Sequence, residues 1–571
     1  MITRVVLALA LTVPPVMTPS AAGASACPVA VPARTACGFL EVPERRDAPG
    51  RTIKVGYAVH TSTARNRRPD PVVYMSGGPA SASMQLTGFL SQMFPDRDVV
   101  AVEQRGSKYS QPVLGCPETA EALLGQLRRP PADVAAAAGQ CRARLQEQGI
   151  DLRGYNTKEI AADVVALRQK LGYESWNLFG VSYSTRVMVD VAAADPRGVR
   201  SVVLDSYLPE SVNWYDDAAG NLADTAARLG MKDAFDAATA RLNAAPAQVT
   251  TNDPILGRAF QARISGDDLA TIMAEALHEA DVAAVAPAMV GALAEGHDEL
   301  LRPLADAVGG GLVSHEFGLY HAVQCQDEVP FNTYTPKSRL FTVNADKAVC
   351  DAWQLPKAQP VNATTKAPVY VVGGQYDPTT PTRTSKPAAE ALPGARFEEF
   401  PGAAHAVFLT SACARRKILE FMNDPAQHTA SPCRDDDVAD AAVRPGDLHV
   451  TAAPYRISNS PWLAAPFALF AIVSLIQLVA NALKGRALGA FGGLSGVAFA
   501  GLVGQSVYAL AGRNETALAV GVPGTVVTCT WIAAASVVLT AAALLRHRRW
   551  PQIAAAVIGA GFLVWWFTWF L

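Results

Sequence analysis

The chain has 571 residues, half of them apolar, and its 49 basic side chains are matched by 51 acidic ones. That length exceeds one ordinary domain, and the balanced charge supplies no basic face for nucleic acid. The balance is uneven along the chain, because nearly all charge precedes residue 450 and the tail is almost free of it.

Residues 1–26 place Arg4 before the apolar run 5–13 and end on Ala24-Ser25-Ala26, a small-x-small cleavage site. The run is too short to span a bilayer and is followed by Pro14 and Pro15, so the segment reads as an export signal. Cys27 directly after it permits a lipid-anchored reading, against which stands Ala24, where such sites carry leucine. Eight of the nine cysteines precede the apolar tail in neighbouring pairs: Cys27 and Cys37, Cys116 and Cys141, Cys325 and Cys350, Cys413 and Cys433. An even count in an exported chain points to disulfides, of which sequential pairing is one among about a hundred connectivities. No zinc spacing occurs, and no metal or cofactor is expected.

Residues 71–75 read as a buried strand, followed by the glycine loop Ser76-Gly77-Gly78-Pro79-Ala80. Residues 157–172 carry Ile160, Val164, Val165, Leu167 and Leu171 at helical spacing. The run 176–186 then reads as a strand turning sharply into a helix, with Ser182 at the apex of Gly180-Val181-Ser182-Tyr183-Ser184. This is Gly-x-Ser-x-Gly with its last glycine replaced, the turn on which a serine nucleophile is exposed. Alone, it also fits an ordinary helix cap. Val187, Met188, Val189 and Val191 continue a buried helix and 199–205 gives another strand. Strands alternating with helices imply a parallel sheet covered on both faces.

Beyond a helix-rich stretch over 209–360, residues 368–374 form a strand that ends near Asp377. Open α/β sheets place functional groups at that end, although an aspartate before Pro378 also suits a turn. A short strand over 396–400 leads to a loop ending at His405, before a helix over 411–422. Of nine histidines, His405 alone lies on a loop after the acid's strand; His60, His278, His297, His315, His321, His428 and His449 read as surface or core residues. Serine, aspartate and histidine in that order make Ser182 the nucleophile, Asp377 the acid and His405 the base. The amides of Tyr183 and Gly78 are the expected oxyanion hole.

Residues 426–460, polar and rich in Asp, Ala and Pro, read as a linker holding the hydrolase off the bilayer. Four apolar stretches follow at about 462–482, 488–511, 517–545 and 551–571, each long enough to cross a ~30 Å hydrocarbon core. Lys484 and Arg486 lie in the first connection and Arg546, Arg548 and Arg549 in the third, which puts both in the cytoplasm and residue 460 outside. Trp550, Trp565, Trp566 and Trp569 fit an interfacial belt, or simply apolar bulk, and Gly492, Gly493, Gly501 and Gly504 suit close helix packing.

Phe39-Leu40-Glu41-Val42-Pro43, Ser76-Gly77-Gly78-Pro79, Glu103-Gln104-Arg105-Gly106, the serine turn, Tyr376-Asp377-Pro378 and Pro401 to His405 occur in order between about Cys37 and Cys413. In these motifs the chain resembles the proline iminopeptidase and tripeptidyl aminopeptidase family, particularly its exported bacterial members. The resemblance implies an α/β-hydrolase fold with a helical cap inserted before the acid's strand, here followed by four transmembrane helices. It implies release of short fragments from peptides with a free N-terminus, through an acyl-enzyme and without a cofactor. It also implies that cap carboxylates hold the substrate's α-ammonium, for which Asp327 and Glu328 are the nearest match. The chain departs from the family at Ser76, Ala80, Glu103, Ser184 and Ala404.

The expected organisation is a signal peptide (1–26), a first core segment (27–208), a cap (209–362), a second core segment (363–425), a linker (426–460) and a membrane region (461–571). The expected function is a membrane-anchored extracytoplasmic serine hydrolase of aminopeptidase type acting on short peptides. An esterase, or a weakly active or non-catalytic ligand-binding membrane protein, is the alternative; oligomeric state is left open.

Overall fold

A computed structural model describes residues 27–48, 50–128, 131–254, 257–313, 315–334, 340–359, 363–426, 433, 443–546 and 550–571. The export signal over 1–26, linker residues 427–432 and 434–442, and Arg548 and Arg549 lie outside the described residues.

Strands β1 (Thr35–Pro43) and β2 (Thr52–His60) form an antiparallel pair, followed by β3 (Val72–Met75), β4 (Val99–Val102), β5 (Trp176–Val181) and β6 (Val199–Asp205). A long insertion carrying the hairpin β7 (Ala247–Asp253) and β8 (Arg258–Ile264) precedes β9 (Val369–Gly374) and β10 (Arg396–Phe400). The main sheet has eight strands in the order β1-β2-β4-β3-β5-β6-β9-β10, parallel from β4 to β10. Alternate residues serve the two faces, as the period of a strand requires. Val73, Leu178, Val202 and Val371 enter one core, and Tyr74, Phe179, Val203 and Tyr370 the other. The helix Thr157–Leu171 covers the first face with Ile160, Val164 and Leu167, all fully buried. It starts where the Asn156 side chain accepts from the Glu159 amide and stops at Gly172 in the left-handed region. The sheet is thus the doubly covered one expected, and Ser182, Asp377, His405 and the glycine loop all follow C-terminal strand ends.

The insertion between β6 and β9 has an apolar core of its own, built from helices such as Trp214–Arg228, Gly266–Ala276 and Ala280–Glu295. The β7–β8 hairpin within it was not expected, although the alternation of buried and exposed residues over 247–253 is that of a half-buried strand. All four neighbouring cysteine pairs are disulfides, and Cys325–Cys350 ties two cap helices together.

Among the described residues four helices are long and apolar enough to cross a membrane: Pro461–Ala482, Ala487–Arg513, Gly524–Arg546 and Trp550–Phe570. A side chain at Gly493 would meet the Leu478 amide at 2.3 Å, so the first two helices touch backbone to backbone there. Gly501 and Gly504 instead face open space. Trp566 is not in an interfacial belt; it is fully buried, stacked on Phe570 at 4.2 Å with its indole N–H on Thr530 Oγ1. The described end of the linker also differs from expectation. Leu448–Val450 pairs antiparallel with Gly521–Pro523 of the second helix connection, and Thr451 Oγ1 donates to the Phe570 carbonyl. The physical reason is apolar: Leu448, Leu510, Ala517 and Val520 share one buried cluster with the cap. The hydrolase therefore rests on the helix ends rather than standing off them.

Candidate active site

Ser182 lies between β5 and the helix Ser184–Ala194 with φ +56°, a left-handed conformation that a non-glycine residue adopts only under constraint. Its amide donates to the Asp205 carbonyl at 2.9 Å. Ser184, which replaces the usual glycine, is no obstruction. Its hydroxyl donates to the Met75 carbonyl (2.7 Å) and accepts from the Val181 amide (2.8 Å), joining β3 to β5 beneath the turn. Ala404 is fully buried and keeps a negative φ, whereas Ala80 takes a strained φ of +84°.

His405 Nδ1 lies 2.8 Å from Asp377 Oδ2. The remaining lone pairs of that carboxylate are filled by the amides of Thr379 and Thr380 on Oδ1 and by Thr380 Oγ1 on Oδ2. Burial alone would raise the acid, but the His405 charge and these hydrogen bonds hold Asp377 well below the usual carboxylate range. For His405 burial acts downwards, and the Asp377 charge and hydrogen bond overcome it to raise the imidazole. A second carboxylate, Asp205, is close but differently used. It accepts the amides of Val407 (2.9 Å) and Phe408 (2.8 Å), capping the turn after His405, and burial pushes it up to about 6. Ser206 Oγ accepts the Ala406 amide, so the end of β6 positions both the serine turn and the histidine loop. Among the described residues no hydrogen bond joins the Ser182 hydroxyl to His405; such contacts tighten when substrate binds.

The glycine loop is pressed against the serine, since a side chain at Gly77 would come within 2.7 Å of Ser182 Cβ. Gly78 has φ +104°, and among the described residues neither its amide nor that of Tyr183 has an acceptor. Glu103 and Gln104 hold this loop. Gln104 Nε2 donates to the carbonyls of Ser76 and Gly77 and its Oε1 accepts the Ala80 amide, while Glu103 accepts the amides of Ser83 and Met84. Arg105 is fully buried against Asp163. The motif is therefore a buckle behind the candidate oxyanion hole.

The two expected cap carboxylates are placed otherwise. Glu328 is buried, ion-paired to the buried Arg186 at 2.5 Å, and accepts the Trp214 amide. Asp327 accepts both the amide and hydroxyl of Thr157, whose hydroxyl also meets Tyr183 Oη. These contacts fasten the cap to the core, with Glu328 engaged by a cation of the chain itself and Asp327 bonded through Oδ2.

Two cap residues the sequence did not single out reach the base instead. The His278 ring packs on that of His405 with centroids 4.7 Å apart, and its Nε2 is hydrogen-bonded to Thr379 Oγ1. Burial, and then the His405 charge, push it down to about 3, so it is neutral. Glu275 is one helical turn away, 3.7 Å from His278. Its side chain is about half exposed, and desolvation by its surroundings, then the Asp346 charge, push it up. Neither has a local motif; only the docking of the cap brings them to the site.

Residues 70–252 match the α/β-hydrolase fold family and residues 339–433 match the TAP-like protein family. The chain thus has the α/β-hydrolase fold and is similar to serine hydrolases of the TAP-like family. It is 24% identical over 458 residues to serine protease Hip1 of Mycobacterium tuberculosis and of Mycobacterium bovis, spanning 69% of this chain and 86% of each relative. Among solved structures, proline iminopeptidase of Mycobacterium smegmatis is 17% identical with a TM-score of 0.37, covering 68% of this hydrolase and 98% of that chain.

Proposed function

We propose that the chain is a membrane-anchored, extracytoplasmic serine peptidase that releases short fragments from the free N-terminus of peptides. His405 takes the Ser182 proton as the hydroxyl attacks the substrate carbonyl, and Asp377 keeps the imidazole in the required tautomer. The amides of Tyr183 and Gly78 receive the oxyanion. His405 then protonates the leaving amine, and the acyl-enzyme ester is cleaved by water activated at the same base.

The observation that carries this reading is the Asp377–His405 hydrogen bond at 2.8 Å, beside a serine held at φ +56°. The preference for a free N-terminus is supported by Glu275, an accessible acceptor for an ammonium ion 3.7 Å from His278, whose ring packs on His405. The extracytoplasmic assignment is supported by four disulfides and by contact of the hydrolase with the helix ends opposite Lys484 and Arg486. The full chain in detergent should react with a fluorophosphonate probe and Ser182→Ala should not; labelling that survives the substitution overturns the nucleophile. Glu275→Gln should raise KM for free peptides by about tenfold, the loss of one charge-assisted contact, and leave N-acylated peptides and simple esters unchanged. Equal turnover of blocked and free peptides by the unaltered chain would make it an esterase or endopeptidase instead.

A further inference from the structure

A cavity of about 260 Å³ opens where the cap meets the membrane region. Gln248 and Thr250 of the β7–β8 hairpin, Glu299 and Arg302 of the cap, and Tyr455 and Arg456 of the short helix Ala453–Asn459 line it. Its charges are unevenly matched. Asp298 is paired with Arg241 and Glu299 with His297, so both neighbouring carboxylates already have cationic or hydrogen-bonding partners.

The two arginines are less fully matched: Arg302 shares one carboxylate, Asp306, with other donors, and Arg456 has none among the described residues. Arg302 Nε is enclosed without a hydrogen-bond partner, 3.6 Å from Asp306 Oδ2. Asp306 is its ion-pair partner but is shared, since its Oδ2 also accepts from Tyr455 Oη (2.7 Å) and its Oδ1 from Thr251 Oγ1 and the Asn252 amide. Arg456 is exposed and, among the described residues, meets no carboxylate. A guanidinium left without an acceptor is unfavourable, and phosphate oxygens are the acceptors its geometry fits best.

The height of the cavity decides which phosphate. Arg456 precedes the first spanning helix, which begins at Pro461, by five residues, and Trp462 is 74% exposed at that boundary. The helix Ala453–Asn459 ends before Ser460, whose backbone is extended, so Arg456 is at most about 11 Å from Pro461, within side-chain reach of the polar layer, roughly 5–8 Å thick, beside the hydrocarbon core. Arg456, and with it the mouth of the cavity, therefore lies beside the headgroup layer. We propose that this cavity holds the phosphodiester headgroup of a membrane phospholipid, with its charge received by Arg302 and Arg456. The lipid would bridge the cap hairpin and the entry to the first spanning helix, and so belong to the seat of the hydrolase on the bilayer.

The test uses the full chain, stripped of lipid in detergent and titrated with dioctanoyl phosphatidylglycerol, dioctanoyl phosphatidylethanolamine, dioctanoylglycerol and inorganic phosphate, with binding read by native mass spectrometry. One phospholipid of either headgroup should bind, and the Arg302→Gln/Arg456→Gln chain should bind it at least about tenfold more weakly, the loss of charge-assisted contacts. Arg456→Gln alone, at an exposed side chain without partners, guards against misfolding and should give a measurable part of that loss. Unchanged binding in the single and double variants overturns the site. So does equal binding of dioctanoylglycerol, which lacks the phosphate, while inorganic phosphate binding as tightly as phospholipid overturns the lipid as occupant.

Discussion

Asp377 and His405 each move the other's protonation equilibrium, and the direction can be followed into rate. His405 acts as a base only when neutral, and the Asp377 carboxylate raises it above the free imidazole value of about 6.5. Activity of the unaltered chain should therefore rise with pH along a limb centred above that value. Asp377→Asn removes the charge that opposes burial, so burial dominates and the imidazole pKa falls. The acid limb should move to lower pH while kcat drops about 10⁴-fold, because the amide favours the wrong tautomer. The pH profile of ester hydrolysis over both chains checks this, and an unmoved limb would mean that another group controls it. Asp205 makes the contrast useful: it also raises His405 electrostatically but makes no hydrogen bond to the imidazole, acting on its position only through the amides of residues 407 and 408.

At the level of elements, the cap meets the triad through His278 at the end of Gly266–Ala276, which touches both His405 and the acid's loop at Thr379. His278→Ala admits water to the face of His405. Lower desolvation favours the imidazolium, so the acid limb should shift to higher pH, and kcat should fall more than KM changes. His278→Phe restores the covering ring without the Thr379 hydrogen bond, and should return the limb but not the full rate; identical pH profiles in all three chains would reduce His278 to a packing residue. This contact also explains what could be read from the sequence. Ser182, Asp377 and His405 were legible because each ends a strand, where local pattern and chain order coincide. His278 and Glu275 were not, because their role is created by the docking of an insertion with no motif of its own. The intramolecular partners of Asp327 and Glu328 were hidden for a related reason: Thr157 and Arg186 lie far upstream, and spacing carries no record of them. Ser184 looked like an intrusion for want of knowing that the Met75 carbonyl and Val181 amide face each other there.

Across the whole molecule, the membrane region is tied both to the linker strand and to the cap. The strand Leu448–Val450 pairs with the connection at Gly521–Pro523, Asn514 and Thr516 hydrogen-bond to Asp281 of the cap, and the C-terminal Leu571 carbonyl meets His449 Nε2. All lie at the end of the bundle opposite Lys484 and Arg486, which the positive-inside rule puts outside when those two residues face the cytoplasm. Leu510, Ala517 and Val520 complete the apolar core of the cap, so the helices serve as the floor of that domain as well as its anchor. A chain ending at residue 450 would uncover this floor. Burial of a leucine or valine side chain is worth about 1.5–3 kcal/mol, and losing several together should lower the thermal midpoint by many degrees and increase binding of an apolar dye. The core sheet does not depend on the floor, so the truncated chain should still label at Ser182 when cold and lose labelling on mild warming, before the full chain does. Leu510→Ala with Val520→Ala in the full chain should reproduce part of that loss without removing the anchor. If the truncated chain keeps its midpoint and its labelling on warming, the cap carries its own stability and the helices only tether it.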